Sequence, residues 1–231
     1  MKNKLLKIIK NILHIFLNEL LTQQSKNLRY ELERRSLSTT ADYIEKKMSD
    51  IHSVESKWQV HDLALNKCKI DGLFLEFGVY KGETINYIAK KVSHNIYGFD
   101  SFDGLPEFWR DGFDKGTFSL KNLPQVEKNV ILIKGLFEDS IPEFLEQTTT
   151  NKKIAYLHID CDLYSSTKTI FDLLGKKITK GTIIVFDEYF NFPGWENDEF
   201  KAFQEFITAN HLNYKYITYN HLHEQVAIEV I

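Results

Sequence analysis

The sequence predicts an α/β fold in which seven strands form a doubly wound, mostly parallel sheet ending in an antiparallel hairpin. Three observations lead there. From residue 70 onward, short apolar runs rich in β-formers alternate with helical stretches, the order expected of strand–helix–strand units. The acids Glu76, Asp100, Asp160, Asp187 and Glu188 gather at or near the ends of those runs, and open parallel sheets bind ligands beyond the carboxyl ends of their strands. The last two runs are joined by the short connection Asn220-His221-Leu222-His223, which suits a hairpin.

The elements follow in chain order. In residues 1–21, Leu5, Ile8, Ile9, Ile12, Leu13, Phe16, Leu17, Leu20 and Leu21 recur at helical spacing, which predicts an amphipathic helix. Lys7, Lys10, Asn11, His14, Asn18 and Glu19 interrupt any apolar run long enough for a signal peptide or membrane span. Lys2, Lys4, Lys7 and Lys10 would suit an anionic membrane surface. The expectation preferred here is that the helix packs on its own domain or on a second subunit. Residues 22–56 are polar and mostly helical in pattern, so 1–56 is an extension and 57–231 the domain.

Strands are then expected over 73–78, 95–100, 129–134, 154–160, 181–187, 213–219 and 224–231. Helices are expected over 83–92, 166–174 and 198–210.

Composition narrows the function. With 43% hydrophobic and 26% charged residues, only 4 Pro and 11 Gly, the chain is neither disordered nor fibrous. A net charge of −3 provides no basic field for nucleic acid. Two cysteines, Cys68 and Cys161, make neither a disulfide scaffold nor a Cys-rich zinc site, so a reducing cytoplasm is expected.

The turn Glu76-Phe77-Gly78-Val79-Tyr80-Lys81-Gly82 leads from a strand into a helix. Its glycines let the backbone approach a ligand, and the helix start offers free N–H groups. It lacks the middle glycine of G-x-G-x-x-G, which speaks against a nicotinamide dinucleotide. Asp100, ending the next strand, is placed to bond both hydroxyls of a ribose; with Ser101 and Asp103 beside it, an Asx turn is the plainer alternative.

Those residues, with Tyr97 to Pro106, Lys134 to Pro142, His158 to Thr167 and Gly181 to Tyr189, resemble the macrocin-O-methyltransferase family in order and over about residues 70 to 210. The resemblance implies a Rossmann-like, S-adenosylmethionine-dependent enzyme that methylates sugar hydroxyls, and a homodimer associated through its N-terminal segments. Its cofactor-binding set would be Glu76, Gly78, Val79, Tyr80, Gly82, Asp100, Ser101, Phe102, Phe137 and Glu138. Of these, Glu76, Gly78 and Gly82 fall at the methionine end, Asp100 on the ribose, and Phe102, Phe137 and Glu138 near the adenine.

Asp160 and Asp162 end one strand and Asp187-Glu188 another. Carboxylates sharing a cleft repel unless a cation or proton lies between them, and an all-oxygen set selects Mg²⁺ or a similar ion. Carried over from the family, Asp160, Asp187 and Glu188 become the metal ligands, with Asp162 the alternative to Asp160. Glu188 departs from the family's second aspartate and is one methylene longer; a salt bridge or cap is its plainer role. The metal would lower the pKa of an acceptor hydroxyl. Asp160 is the expected base and His158 the second choice, because period-2 alternation aims both to one side.

Residues 102–120, with Trp109, Arg110, Phe113 and Phe118, read as a lid, and 190–195 as an opposite wall. His221 and His223 are expected at the surface. The acceptor is expected to be a sugar or glycosylated small molecule. A phenolic or catechol-like acceptor and a catalytically degenerate interaction protein are the alternatives.

Overall fold

The computed structural model describes residues 2–147 and 152–231. Three runs, Leu73–Phe77, Ile154–Ile159 and Ile183–Phe186, are buried at every position. Strands without an exposed face belong in the middle of a sheet covered on both sides, and that is where they lie. In chain order the strands are β1 (Ser53–Val54), β2 (Leu73–Phe77), β3 (Ile96–Asp100) and β4 (Val130–Lys134). They continue as β5 (Ile154–Ile159), β6 (Ile183–Phe186), β7 (Tyr214–Asn220) and β8 (Val226–Val230). The sheet order is β1-β7-β8-β6-β5-β2-β3-β4. Pairings are parallel except β6 with β8 and β7 with β8. The expected hairpin closes the chain as β7–β8.

Helices α1 (Lys2–Ser25) and α2 (Leu28–Lys47) precede the sheet. The others are α3 (Lys57–Lys67), α4 (Glu83–Ala89), α5 (Phe137–Gln147), α6 (Tyr164–Leu174) and α7 (Glu199–Ala209). Val60, Ala64, Ile85 and Ile88 of α3 and α4 join one core layer. Ile141, Phe144, Ile170, Phe171, Ala202 and Phe203 of α5, α6 and α7 join the layer on the other face. The order in which strands are added reverses between β2, followed outward by β3 and β4, and its parallel neighbour β5, followed the other way by β6. That switch point is where a ligand crevice opens in this kind of sheet.

Two expectations are corrected. The sheet has eight strands rather than seven, because Ser53–Val54, inside the stretch read as helical, pairs in parallel with β7. The expected boundary at residue 56 also falls within packed structure. Tyr43 of α2 stacks edge-on against Trp195 and Phe200. Thr40 accepts a hydrogen bond from the Asn191 amide at 2.9 Å, and Thr39 one from the Trp195 indole at 3.2 Å. The second half of α2 therefore belongs to the α/β body.

α1 does not. From Leu6 to Leu21, every apolar side chain described is exposed, from 46% at Leu17 to 65% at Ile15. The expectation that this helix packs on its own domain is thus not met within the chain. The side chains of Lys2, Lys4, Leu5 and Leu20 lie outside the described part. No described helix is long and apolar enough to cross a membrane.

Candidate functional site

The carboxyl ends of β2 and β5 touch at Gly78. Its φ is +89°, and a Cβ there would lie 1.6 Å from the Asp160 carbonyl oxygen, so only glycine fits. Tyr80, at φ +46°, continues the bend. Asp100, at the end of β3, holds this turn in place. One carboxylate oxygen accepts the Val79 and Tyr80 amides at 2.9 and 2.8 Å, and the other accepts the Phe102 amide at 2.6 Å. The Asx turn and the ligand-facing acid are therefore the same residue. A carboxylate offers about four lone-pair positions, so acceptor capacity remains.

Above this edge lies a cavity of about 840 Å³. Gly78, Val79, Tyr80, Asp100 and Ser101 form one wall, and Leu136, Phe137 and Glu138 extend it past β4. Asp160, Cys161, Asp162, Asp187 and Glu188 form the facing wall. The loop 102–120 supplies Leu105, Trp109, Arg110, Phe113 and Phe118 as a roof. Its two arms are bonded to each other, Leu105 N–H to Thr117 O and Gly116 N–H to Leu105 O, both at 2.9 Å. Arg110 lies 3.9 Å from the Trp109 ring centre and pairs with Glu224 at 3.2 Å, which fastens the roof to the β7–β8 connection.

The facing wall is strongly acidic. Burial first, and neighbouring carboxylates second, hold Asp160, Glu188 and Glu199 well above the usual carboxylate range. Burial pushes Asp162 up to about 7, with Arg110 opposing. Glu199, at the start of α7, accepts the Cys161 and Asp162 amides at 3.3 and 3.2 Å. That contact holds Asp162 at φ +66°. Glu188 Oε2, Asp187 Oδ1 and Glu199 Oε2 are buried with no hydrogen-bond partner among the described residues.

Below the wall, Glu76 and His158 are fully buried and face each other, Oε2 to Nδ1 at 3.0 Å. His158, Asp160 and Asp187 each bring a ligand atom within 4.8 Å of the other two.

The structure therefore gathers Gly78, Val79, Tyr80, Asp100, Ser101, Phe137, Glu138, Asp160, Asp187 and Glu188 around one cavity. Four expected site residues are off its wall. Glu76 and His158 alternate onto the inner face of β2 and β5, where each is the other's partner. Gly82 sits behind the turn, 3.4 Å from Val126 as measured from a hypothetical Cβ, and serves to start α4. Phe102, at φ +56°, lends its amide to Asp100 while its ring is buried in the α3–α4 layer. Of the expected metal ligands, Asp160 and Asp187 lie together with His158, and Glu188 is not in that group. Phe190, Phe192 and Trp195 are core residues rather than an opposite wall. His221 and His223 are exposed as expected. Glu199 was missed; its only sequence signal is an acid at a helix start.

Residues 75–189 match the model of a family described as a methyltransferase domain. Demethyldecarbamoylnovobiocin O-methyltransferase of Streptomyces niveus is 25% identical over an alignment of 160 residues, with 58% of this chain and 59% of that protein covered. The chain thus spans about three fifths of that relative's length. The structure of the calicheamicin methyltransferase CalS11 superposes with a TM-score of 0.59 at 21% identity, covering 75% of this chain and 80% of that one. The O-methyltransferase NovP superposes at 0.55 and 18% identity, covering 74% and 79%. At these identities the superpositions establish the doubly wound fold.

Proposed function

We propose that this chain, whose residues 75–189 match a methyltransferase-domain model, is an S-adenosylmethionine-dependent O-methyltransferase assisted by a divalent cation. The acceptor is a hydroxyl on a sugar or glycosylated small molecule. The observation that carries this reading is the division of one cavity into two chemically distinct halves.

The half beside β2 and β3 fits the cofactor. Gly78 keeps side chains away from the turn, and Asp100 retains acceptor capacity toward ribose hydroxyls. Leu136 and Phe137 give an apolar face for a flat base, with Glu138 at its edge. The half beside β5 and β6 fits a cation, because Asp187 Oδ1, close to Asp160 and His158, is buried without a partner among the described residues. When bound, S-adenosylmethionine supplies a methyl group on a positively charged sulfur, and a divalent cation lowers the pKa of the acceptor hydroxyl.

Asp160 and Asp187 would hold the cation. Asp162, on the same wall two residues on, would take the hydroxyl proton. Glu199 fixes its backbone. The roof supplies Trp109 and Phe113, whose ring faces suit a sugar, and excludes water. Both the macrocin-family motifs and the novobiocin relative support an acceptor from natural-product chemistry. A phenolic acceptor is separated from a sugar by assay. Mass-spectrometric detection of acceptor-dependent S-adenosylhomocysteine formation, with nucleotide sugars and catechols in parallel, should give turnover with the sugars. Turnover with catechols alone would overturn the acceptor class.

The exposed face of α1 supports a second proposal, that this helix lies on an anionic membrane surface. Its apolar residues cover about half the circumference at 3.6 residues per turn, wider than a two-helix seam. Its lysines at 2, 4, 7 and 10 meet no acid before Glu19. A second copy would set lysine against lysine in a parallel pair and offer one acid in an antiparallel one. Cosedimentation with phosphatidylserine vesicles should exceed that with phosphatidylcholine and fall on removal of residues 1–21. Equal sedimentation would sink the proposal, as would a dimer that dissociates on the same deletion.

A further inference from the structure

The acidic pattern of the sequence points to an all-oxygen cation site, but the side chains are arranged otherwise. Glu188 stands outside the cluster, and the third ligand atom within 4.8 Å of the Asp160 and Asp187 carboxylates belongs to the His158 ring. His158 is fully buried. Its Nδ1 faces Glu76 Oε2 at 3.0 Å, while its Nε2 has no partner among the described residues. A buried imidazole normally engages both nitrogens. His61, edge-on to it at 4.7 Å between ring centres, bonds the Tyr156 hydroxyl through its own Nδ1 at 2.7 Å, and its Nε2 is likewise buried without a partner among the described residues; what sets His158 apart is that its ring lies with the Asp160 and Asp187 carboxylates.

We propose that His158 Nε2, Asp160 and Asp187 form a nitrogen-containing cation site that prefers a first-row transition ion, such as Mn²⁺, Co²⁺ or Zn²⁺, over Mg²⁺. The inference rests on the cation reading above and changes its chemistry. Magnesium is a hard ion that keeps oxygen ligands and water, whereas imidazole raises affinity for the later divalent ions. Glu76 supplies the other requirement. With a cation on Nε2, the Glu76 carboxylate would accept the Nδ1–H bond and so hold the tautomer whose Nε2 lone pair is free, the arrangement common behind metal-binding histidines. Glu76 and His158, both withdrawn from the cavity wall, thereby acquire a joint purpose. Glu76 is a positioning residue and His158 a ligand. The simpler reading, a core histidine satisfied by one glutamate, leaves unexplained why a second buried nitrogen stays unpaired close to two carboxylates.

The test is cation titration of the metal-free full chain, by calorimetry and by the visible absorption of Co²⁺. Co²⁺ should bind at least about tenfold more tightly than Mg²⁺. His158→Gln should remove that preference and leave Mg²⁺ affinity within about twofold, and Asp187→Asn should abolish both. Glu76→Gln should weaken Co²⁺ about 10- to 100-fold, the usual effect of losing the residue behind a ligand. Should His158→Gln fail to fold, Mn²⁺ bound to the unaltered protein gives an independent reading. Its pulsed electron paramagnetic resonance spectrum should show coupling to a directly bound ¹⁴N. Equal Co²⁺ and Mg²⁺ affinities without ¹⁴N coupling would overturn this inference and leave an all-oxygen cation site standing. Absence of any cation binding would overturn both, and S-adenosylhomocysteine titration without metal would then show whether the methyltransferase reading survives.

Discussion

Asp100 and Asp187 both end parallel strands of one sheet and both line one cavity, yet their surroundings are opposite. The Asp100 carboxylate accepts three backbone amides. Among the described residues Asp187 accepts one side-chain bond, from Gln225 at 3.2 Å, and its Oδ1 is buried without a partner. Around Asp100 the backbone supplies positive partial charge. Around Asp187 stand Asp160, Asp162, Glu188 and Glu199, and these raise one another's protonation. A satisfied carboxylate shapes a loop, whereas an unsatisfied group of them awaits a cation or a proton. The contrast explains why one sheet edge can offer a cofactor seat and a reaction centre side by side.

The most damaging way to break that contrast is at the point where the halves meet. Gly78→Ala forces a Cβ onto the Asp160 carbonyl from a left-handed backbone. It should cost about 2–5 kcal/mol, combining overpacking with backbone strain, and abolish S-adenosylhomocysteine binding; urea unfolding and titration measure both. Next comes the satisfied half. Asp100→Ala leaves three amides without their acceptor, and should cost about 1–3 kcal/mol and weaken S-adenosylhomocysteine at least tenfold.

The unsatisfied half should respond with the opposite sign. Glu188→Gln removes a carboxyl whose ionisation burial and its neighbours oppose, and in metal-free protein at pH 8 it should stabilise by about 1 kcal/mol. The same logic fixes the pH dependence. Carboxyls held above their unfolded value keep protons in the native state that the unfolded chain has released. Metal-free stability should therefore fall as pH rises from about 4.5, the ordinary glutamate value, through about 7, where Asp162 titrates. Thermal melts from pH 4.5 to 8 read this slope, and added Mn²⁺ should flatten it. A rising slope would mean that the cluster is already satisfied. The smallest effect belongs to the roof. Trp109→Ala should raise the acceptor's KM several-fold and move S-adenosylhomocysteine affinity by less than about 1 kcal/mol, since stacking contacts are individually small.

The sheet was legible because its centre is written in continuous apolar runs whose lengths suit strands. Strand ends moved by one or two residues, as at 181–187, where Gly181 at φ +89° belongs to the turn before β6. α5 was not anticipated. Phe137, Ile141, Phe144 and Leu145 mark its inner face at helical spacing, but Pro142 and the motif reading of the same residues obscured the period. β1, with two residues, has no period to read. The acids at strand ends were legible as a group because the fold directs such ends to one edge. Their individual roles were not, since sequence alternation gives the face of a strand but not the partner waiting there. Glu76 shows this, being an acid at the right strand end whose side chain turns inward to His158. Phe192 and Trp195 show the converse, looking like a binding wall while filling the core against α2.

Calorimetric titration of S-adenosylhomocysteine into the full chain, with and without a divalent cation and beside Asp100→Ala, tests the proposed cofactor site most directly. Binding near −8 kcal/mol, a micromolar Kd, largely independent of the cation and strongly weakened by Asp100→Ala, is the predicted result. No binding, or binding indifferent to Asp100, would contradict a cofactor seat at the β2–β3 edge and with it the methyltransferase reading.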